Sequence, residues 1–230
     1  MKEGLELEDV VLLGRTFEEY AEYFSLRDFE LGSERLLDMA SGVSSFCAEA
    51  SRKGYDVVAA DPVYGLPAHL IARKCEADLE EVFAQLPGVA HNYDWTFYRD
   101  IAHLKSYRER ASGLFLRDYG RRPDAYVNAS LPETPFRDGE FTVSLVSHFL
   151  FLYDDRLDYE FHRRSLLELS RITRDETRIY PLANLRARRS PFVSRLSEDE
   201  GCSGLEFEVR KIGFKFLKNS DELLIIRRRG

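Results

Sequence analysis

The chain has 230 residues, of which 44% are hydrophobic and 32% charged, and its formal net charge is −7. This size and balance suit one soluble globular domain; they exclude global disorder, and an acidic chain is a poor general binder of nucleic acid, which needs a basic surface. No apolar run approaches the roughly 20 residues that span a bilayer, and the opening MKEGLELEDVV is too acidic for a secretory signal, so a cytoplasmic protein is expected.

Thr16 followed three residues later by Glu19 spells a capping box, and Tyr20 and Phe24 share one helical face, so a first helix is expected over 17–25. Residues 35–40 (RLLDMA) carry a short strand signal, Ser41–Ser45 a turn, 46–53 a short helix stopped by Gly54, and 56–60 (DVVAA) a second strand. This βαβ unit implies two parallel strands with a right-handed crossover. Val82, Phe83 and Leu86 follow Leu79 at helical spacing up to a Pro87-Gly88 stop. Ser106 with Glu109 suggests a second capping box, opening a helix that ends near Gly120. The stretch 66–122 is longer than a crossover requires and reads as a helical insert, a candidate substrate cap. Its Tyr93, Trp95, Phe97, Tyr98 and Tyr107 suit either a local core or a roof over a ligand. Strands are expected at 125–129, 141–147 and 178–182, a helix at 157–172, and two terminal strands at 205–210 and 223–227. The alternation makes the chain, residues 1–230, a single doubly wound α/β domain with helices on both faces of the sheet.

Within this order, LLDMASGVSSFCAEASRKGYDVVAADPVYG places Asp38 and Asp61 at the ends of neighbouring strands, with the tight turn of Gly42 between them. Taken singly, these residues also serve as strand-end caps and a turn glycine. Together, with Asp61 19 positions after Gly42, they suit an adenosine-type ligand at the carboxyl edge of a sheet. The five histidines show no HExxH or paired spacing, and Cys47, Cys75 and Cys202 no CxxC spacing, so neither a metal site nor a disulfide framework is expected.

The element order, together with LLDMASGVSSF, VVAADPVY and LPETPFRDGEFTVSLVSHFLFLY, resembles the Rossmann-like class I S-adenosylmethionine-dependent methyltransferases over most of residues 15–185. The resemblance implies a mostly parallel seven-stranded sheet with an antiparallel C-terminal strand and a helical insert after strand 2. It also implies S-adenosylmethionine as cofactor and S-adenosylhomocysteine as product. In the family's acid-x-Gly-x-Gly turn, Asp38 is the acid, Ala40 takes the first glycine position and Gly42 the second. Asp61 takes the place of the acid that accepts both ribose hydroxyls, a task suited to a carboxylate because it only accepts. Asn128, Ala129, Ser130 and Leu131 span the adenine position, and Ser41, Phe46, Pro62 and Ser147 complete the expected cofactor shell. The sequence departs from the pattern at Ala40, Ser44 and Thr142, and has no acid after the third strand.

His148, in SHFLFLYDD, is the leading candidate base, with Tyr153, Asp154 and Tyr180 behind it on the same rim; capping the strand or touching the cofactor are the alternative roles of His148. Arg15 is expected either to meet the methionine carboxylate or to lie solvated. The reading is methyl transfer to a small molecule or a protein side chain, not to nucleic acid and without a membrane. Its alternatives are a non-catalytic cofactor-binding relative acting through partners, and a dinucleotide-dependent oxidoreductase.

Overall fold

Thr16 starts the first helix as its spacing to Glu19 predicts: its hydroxyl accepts the Glu19 N–H, and the Glu19 carboxylate accepts the Thr16 N–H at 2.8 Å. The computed structural model describes residues 4–7, 9–26 and 34–229. In chain order the elements are α1 (Phe17–Tyr23), β1 (Arg35–Met39), α2 (Phe46–Arg52), β2 (Asp56–Ala60), α3 (Ala68–Val89) and α4 (Ile101–Tyr119). Then come β3 (Tyr126–Val127), β4 (Phe141–Ser147), α5 (Tyr159–Ile172), β5 (Thr173–Tyr180), α6 (Phe192–Ser197), β6 (Leu205–Lys211) and β7 (Glu222–Arg228).

The sheet runs β3-β2-β1-β4-β5-β7-β6. Strands β1 to β5 pair in parallel, and β7 is antiparallel to both of its neighbours. This is a doubly wound, Rossmann-like order, with the helices on both faces and the antiparallel C-terminal strand expected from the sequence. Strand alternation divides the core. Leu36, Val57, Leu223 and Ile225 face α1, α2 and α4, whereas Leu37, Val58, Leu224 and Ile226 face α5 and α6. The connections reverse direction between β1 and β4, which opens a crevice at the carboxyl ends of the strands. At the far ends the sheet closes in two ways: β3 is two residues long, and β6 carries Glu208, which accepts from Arg210 at 2.7 Å and from Arg227 at 2.8 Å.

Several boundaries differ from their sequence signals, for physical reasons. Helix α3 starts eleven residues before Leu79 and runs through Pro87, because burial of Leu86 and Val89 on either side holds the last turn despite the missing amide. Helix α4 is capped by Asp100, whose side chain accepts the His103 N–H; Ser106 lies inside the helix and bonds back to the His103 carbonyl. Packed against α2 and leading into β3, α4 has the place of a crossover helix, and α3 packs against it. Strand β5 begins at Thr173, directly after α5, rather than at Arg178. Its early charges conceal it: Glu176 is buried between Arg178 and Arg227, at 2.6 and 2.7 Å. Only Tyr126 and Val127 of the expected 125–129 join the ladder.

A buried ion cluster ties α1 to α4. Arg108 donates from Nη1 to Glu19 Oε1 at 2.7 Å and to the Gly14 carbonyl at 2.8 Å, and from Nη2 to Tyr98 Oη at 2.9 Å. The Tyr98 hydroxyl donates to the same carboxylate. Burial pushes the Glu19 carboxyl up, but the guanidinium groups of Arg108 and Arg15 outweigh it and hold the pKa below the ordinary glutamate range. Arg108→Met strands this carboxylate, and a loss of about 3–5 kcal/mol in urea unfolding is expected, partly recovered when Glu19→Gln is added. Because the folded pKa is depressed, the parent's advantage over the double variant should be full above about pH 4.3 and vanish as pH falls through the folded value. Equal midpoints for parent and Arg108→Met would refute this account.

Candidate functional site

The backbone between β1 and α2 shapes one end of a cavity of about 360 Å³ that lies at the crevice between β1 and β4. Ala40 and Gly42 both adopt left-handed conformations, with φ of 56° and 54°. For Ala40 this costs on the order of 1 kcal/mol, so the expected glycine position keeps a glycine's backbone without its freedom. Asp61 holds the turn: one carboxylate oxygen accepts the Gly42 N–H and the other the Val63 N–H, each at 2.9 Å. Tyr64 Oη donates to the Gly42 carbonyl at 2.8 Å. A Cβ built on Gly42 meets within 4 Å only Leu12 Cδ2, at 3.5 Å, so a side chain there would project into cavity space. Each oxygen of Asp61 retains a second lone pair, and burial raises the pKa of this carboxyl against the two donated bonds.

Asp38 stands behind the turn instead of in the cavity wall. It is fully buried and accepts from Tyr20 Oη at 2.8 Å and Ser41 Oγ at 2.6 Å. Burial lifts its pKa to about 7 in spite of these donors.

Arg15 lies in the wall, where its own carbonyl accepts the Ser45 N–H at 2.9 Å and Ser44 Oγ at 3.0 Å. Its Nη1 donates to the Leu13 carbonyl at 2.6 Å, while Nε is buried without a partner among the described residues. Burial, and then the neighbouring Arg108, lower its pKa. Two guanidinium groups thus share Glu19, and no carboxylate among the described residues forms an ion pair with Arg15, so one positive charge at the wall is uncompensated.

His148 ends β4, with φ of 53°, and also lies in the wall. Its Nδ1 bonds Ser147 Oγ at 2.9 Å, which in turn bonds Tyr23 Oη at 2.9 Å. The ring stands edge-on to Tyr23 and Tyr180, at 5.4 and 5.3 Å. Burial, reinforced by Arg15 and Arg108, depresses its pKa well below the ordinary histidine value, so the ring is neutral near pH 7.

Ser41, Pro62, Ser130, Leu131, Ser147, Tyr153 and Tyr180 join the wall, but besides Asp38 four expected residues do not. Phe46 turns inward from α2 and stacks on Tyr20 at 4.4 Å. Asn128 packs against Gly65, Ala129 enters the core beneath α5, and Asp154 accepts from Asn184 Nδ2 at 3.1 Å. The adenine position of the sequence reading therefore narrows to Ser130 and Leu131. Sequence reasoning missed the chain before α1. Leu12 donates its N–H to Asp78 Oδ2 of α3 at 2.6 Å, and Glu6 exchanges backbone bonds of 3.0 and 2.8 Å with Gln85. The apolar run VVLL at 10–13, neither helix nor strand, was its only signal. Helix α3 completes the roof with Val82, Phe83 and Leu86. Among the described residues no three metal-ligating side chains converge, and no helix is long and apolar enough to cross a membrane.

No family model matches the chain. Among solved structures, a S-adenosylmethionine-dependent methyltransferase from Methanosarcina mazei aligns at 12% identity, covering 90% of this chain and 97% of that one, with a TM-score of 0.49. Magnesium protoporphyrin IX methyltransferase from Synechocystis PCC 6803 aligns at 10% identity over 90% of this chain and 75% of that one, with a TM-score of 0.48. An uncharacterised Methanocaldococcus jannaschii protein, MJ0045, is 40% identical over 225 residues, 97% of this chain and 99% of that one. The chain belongs to the family of this M. jannaschii protein.

Proposed function

We propose that the protein is a methyltransferase that uses S-adenosylmethionine. The observation that carries this reading is the pairing of two features in one cavity: the uncompensated guanidinium of Arg15 and the Asp61 carboxylate with lone pairs to spare, on either side of the Gly42 turn. Such a wall complements a ligand with a carboxylate at one end and a vicinal diol at the other. The residues fit that cofactor. Arg15 would meet the methionine carboxylate, Asp61 the ribose hydroxyls, and the apolar faces of Pro62, Val63 and Leu131 the adenine. A pyrophosphate fits poorly, because at the start of α2 the Ser45 N–H is held by the Arg15 carbonyl and the Phe46 N–H by Ser44 Oγ. This disfavours a dinucleotide oxidoreductase.

When bound, the sulfonium supplies an electrophilic methyl group. The chain's task is then alignment and exclusion of water, where effective molarities of about 10⁵ M or more are available to well-placed reactants. The roof of α3 and the segment before α1 serve as the cap. For an acceptor that must lose a proton, His148 acts as base in the tautomer whose Nδ1 donates to Ser147 Oγ and whose Nε2 accepts from the acceptor. Tyr153 and Asp154 are weaker candidates, since Tyr153 Oη already accepts the Val11 N–H and Asp154 lies outside the wall.

Calorimetry should show one S-adenosylhomocysteine per chain. Gly42→Asp should abolish binding, and Arg15→Met should weaken it about 10- to 100-fold, as expected for hydrogen bonds to a charged group. Parental affinity in both variants, or binding of NAD in place of S-adenosylhomocysteine, would defeat the reading. In histidine-selective NMR, the resonances lost in His148→Asn should not titrate between pH 8 and 6. Protonation at the ordinary histidine value of about 6.5 would contradict the environment described for this ring.

A further inference from the structure

Beyond the turn of Gly42, the cavity continues over the ends of β4 and β5 and changes character. Here its wall belongs to a separate apolar cluster, in which Leu7 from the segment before α1, Val82 and Phe83 of α3, and Leu152, Leu185 and Leu217 come together. Most polar groups in this part are already engaged; Tyr93 Oη, in the same cluster, has no hydrogen-bond partner among the described residues. Tyr153 Oη accepts from the Val11 N–H at 3.4 Å, and Tyr180 Oη bonds Ser220 Oγ at 3.1 Å. Lys74, elsewhere in the wall, pairs with Asp78 at 3.1 Å, and Arg108 with Glu19 at 2.7 Å. His148 Nε2 also has no hydrogen-bond partner among the described residues, and it alone lies where this part meets the turn. The cover is continuous with the cluster, since the segment before α1 is fastened to Asp78 and Gln85 of α3 and, through the Leu7 carbonyl, to Arg156.

We infer that the acceptor is a small, largely hydrocarbon molecule carrying one hydroxyl, taken whole into this compartment with the hydroxyl at His148. The inference rests on the methyltransferase reading. A hydrocarbon body loses nothing by leaving water for such walls, whereas a molecule with many polar groups would find only the hydroxyls of Tyr93 and Tyr153 to meet them. At the junction with the turn, His148 Nε2 is the unengaged acceptor that matches a hydroxyl proton. A lysine, arginine or glutamine side chain would bring a charged or amide group plus its peptide backbone under the cover, and a nucleobase several unpaired donors and acceptors. The same walls that admit a hydrocarbon molecule therefore reject macromolecular acceptors.

The test uses 2-naphthol as the probe, with the full chain, in the presence and absence of S-adenosylhomocysteine. Probe fluorescence should report one site per chain, and Phe83→Glu and Leu185→Glu, both half-buried wall positions, should each weaken it at least tenfold. S-adenosylhomocysteine affinity should stay within about twofold in both variants, which also shows that they fold. A short lysine- and tyrosine-containing peptide should not compete. The inference is overturned if 2-naphthol binds the two variants as tightly as the parent, if it does not bind the parent at all, or if the peptide displaces it. Should S-adenosylhomocysteine fail to bind while 2-naphthol behaves as described, the cofactor reading falls and the apolar compartment stands.

Discussion

Glu19 is a single carboxylate facing two guanidinium groups in the interior, and the geometry of the cavity depends on that imbalance of charge. The carboxylate completes the capping box of α1, anchors Arg108 of α4, and through Arg108 fixes the Gly14 carbonyl. Gly14 has no room for a side chain, since a Cβ would stand 2.5 Å from the Val43 carbonyl oxygen and 2.9 Å from Ala111 Cβ. The chain before α1 is thereby pressed between the turn after β1 and α4. Arg15 follows directly, with its charge beside a carboxylate already committed to Arg108. Buried cations without a partner are costly, and a protein keeps one where a ligand completes it.

Much of this was legible in the sequence where local chemistry and tertiary packing agree. The Thr16/Glu19 box, the apolar strands at 35–40, 56–60 and 141–147, and the Gly42–Asp61 spacing all report interactions between near neighbours or repeat with the period of a strand. The limits of α3, α4 and β5 were not legible, because each is decided by burial or by partners that the local motif does not display. Pro87 is carried within a helix by buried neighbours, Ser106 is overruled by Asp100, and Glu176 is accepted in a strand because Arg178 and, 51 residues away, Arg227 meet it.

The candidate site divides along the same line. Asp38 and Asp61 look equivalent in sequence, each an acid ending an apolar run. Their surroundings separate them: Asp38 is enclosed by Tyr20 and Ser41, while Asp61 borders the cavity and is held by backbone amides. No local pattern tells a carboxylate enclosed behind a turn from one that borders a cavity. Phe46 and Asn128 illustrate the converse, since being next to a motif in sequence put both on faces directed away from the cavity. The apolar run at 10–13 carried no period to read, because its role as a cover is set by α3 and Tyr153 rather than by its own repeat.

The ends of the sheet carry a consequence for association. An exposed edge strand offers unpaired N–H and C=O groups to any other extended chain, and long apolar edges invite sheet extension and aggregation. Here β3 presents a ladder of only two residues, too short to template another strand. On β6, Glu208 is clamped between Arg210 and Arg227, and an incoming strand would have to strip water from that network without replacing its bonds. Neither end of the sheet thus offers a long apolar edge for sheet extension.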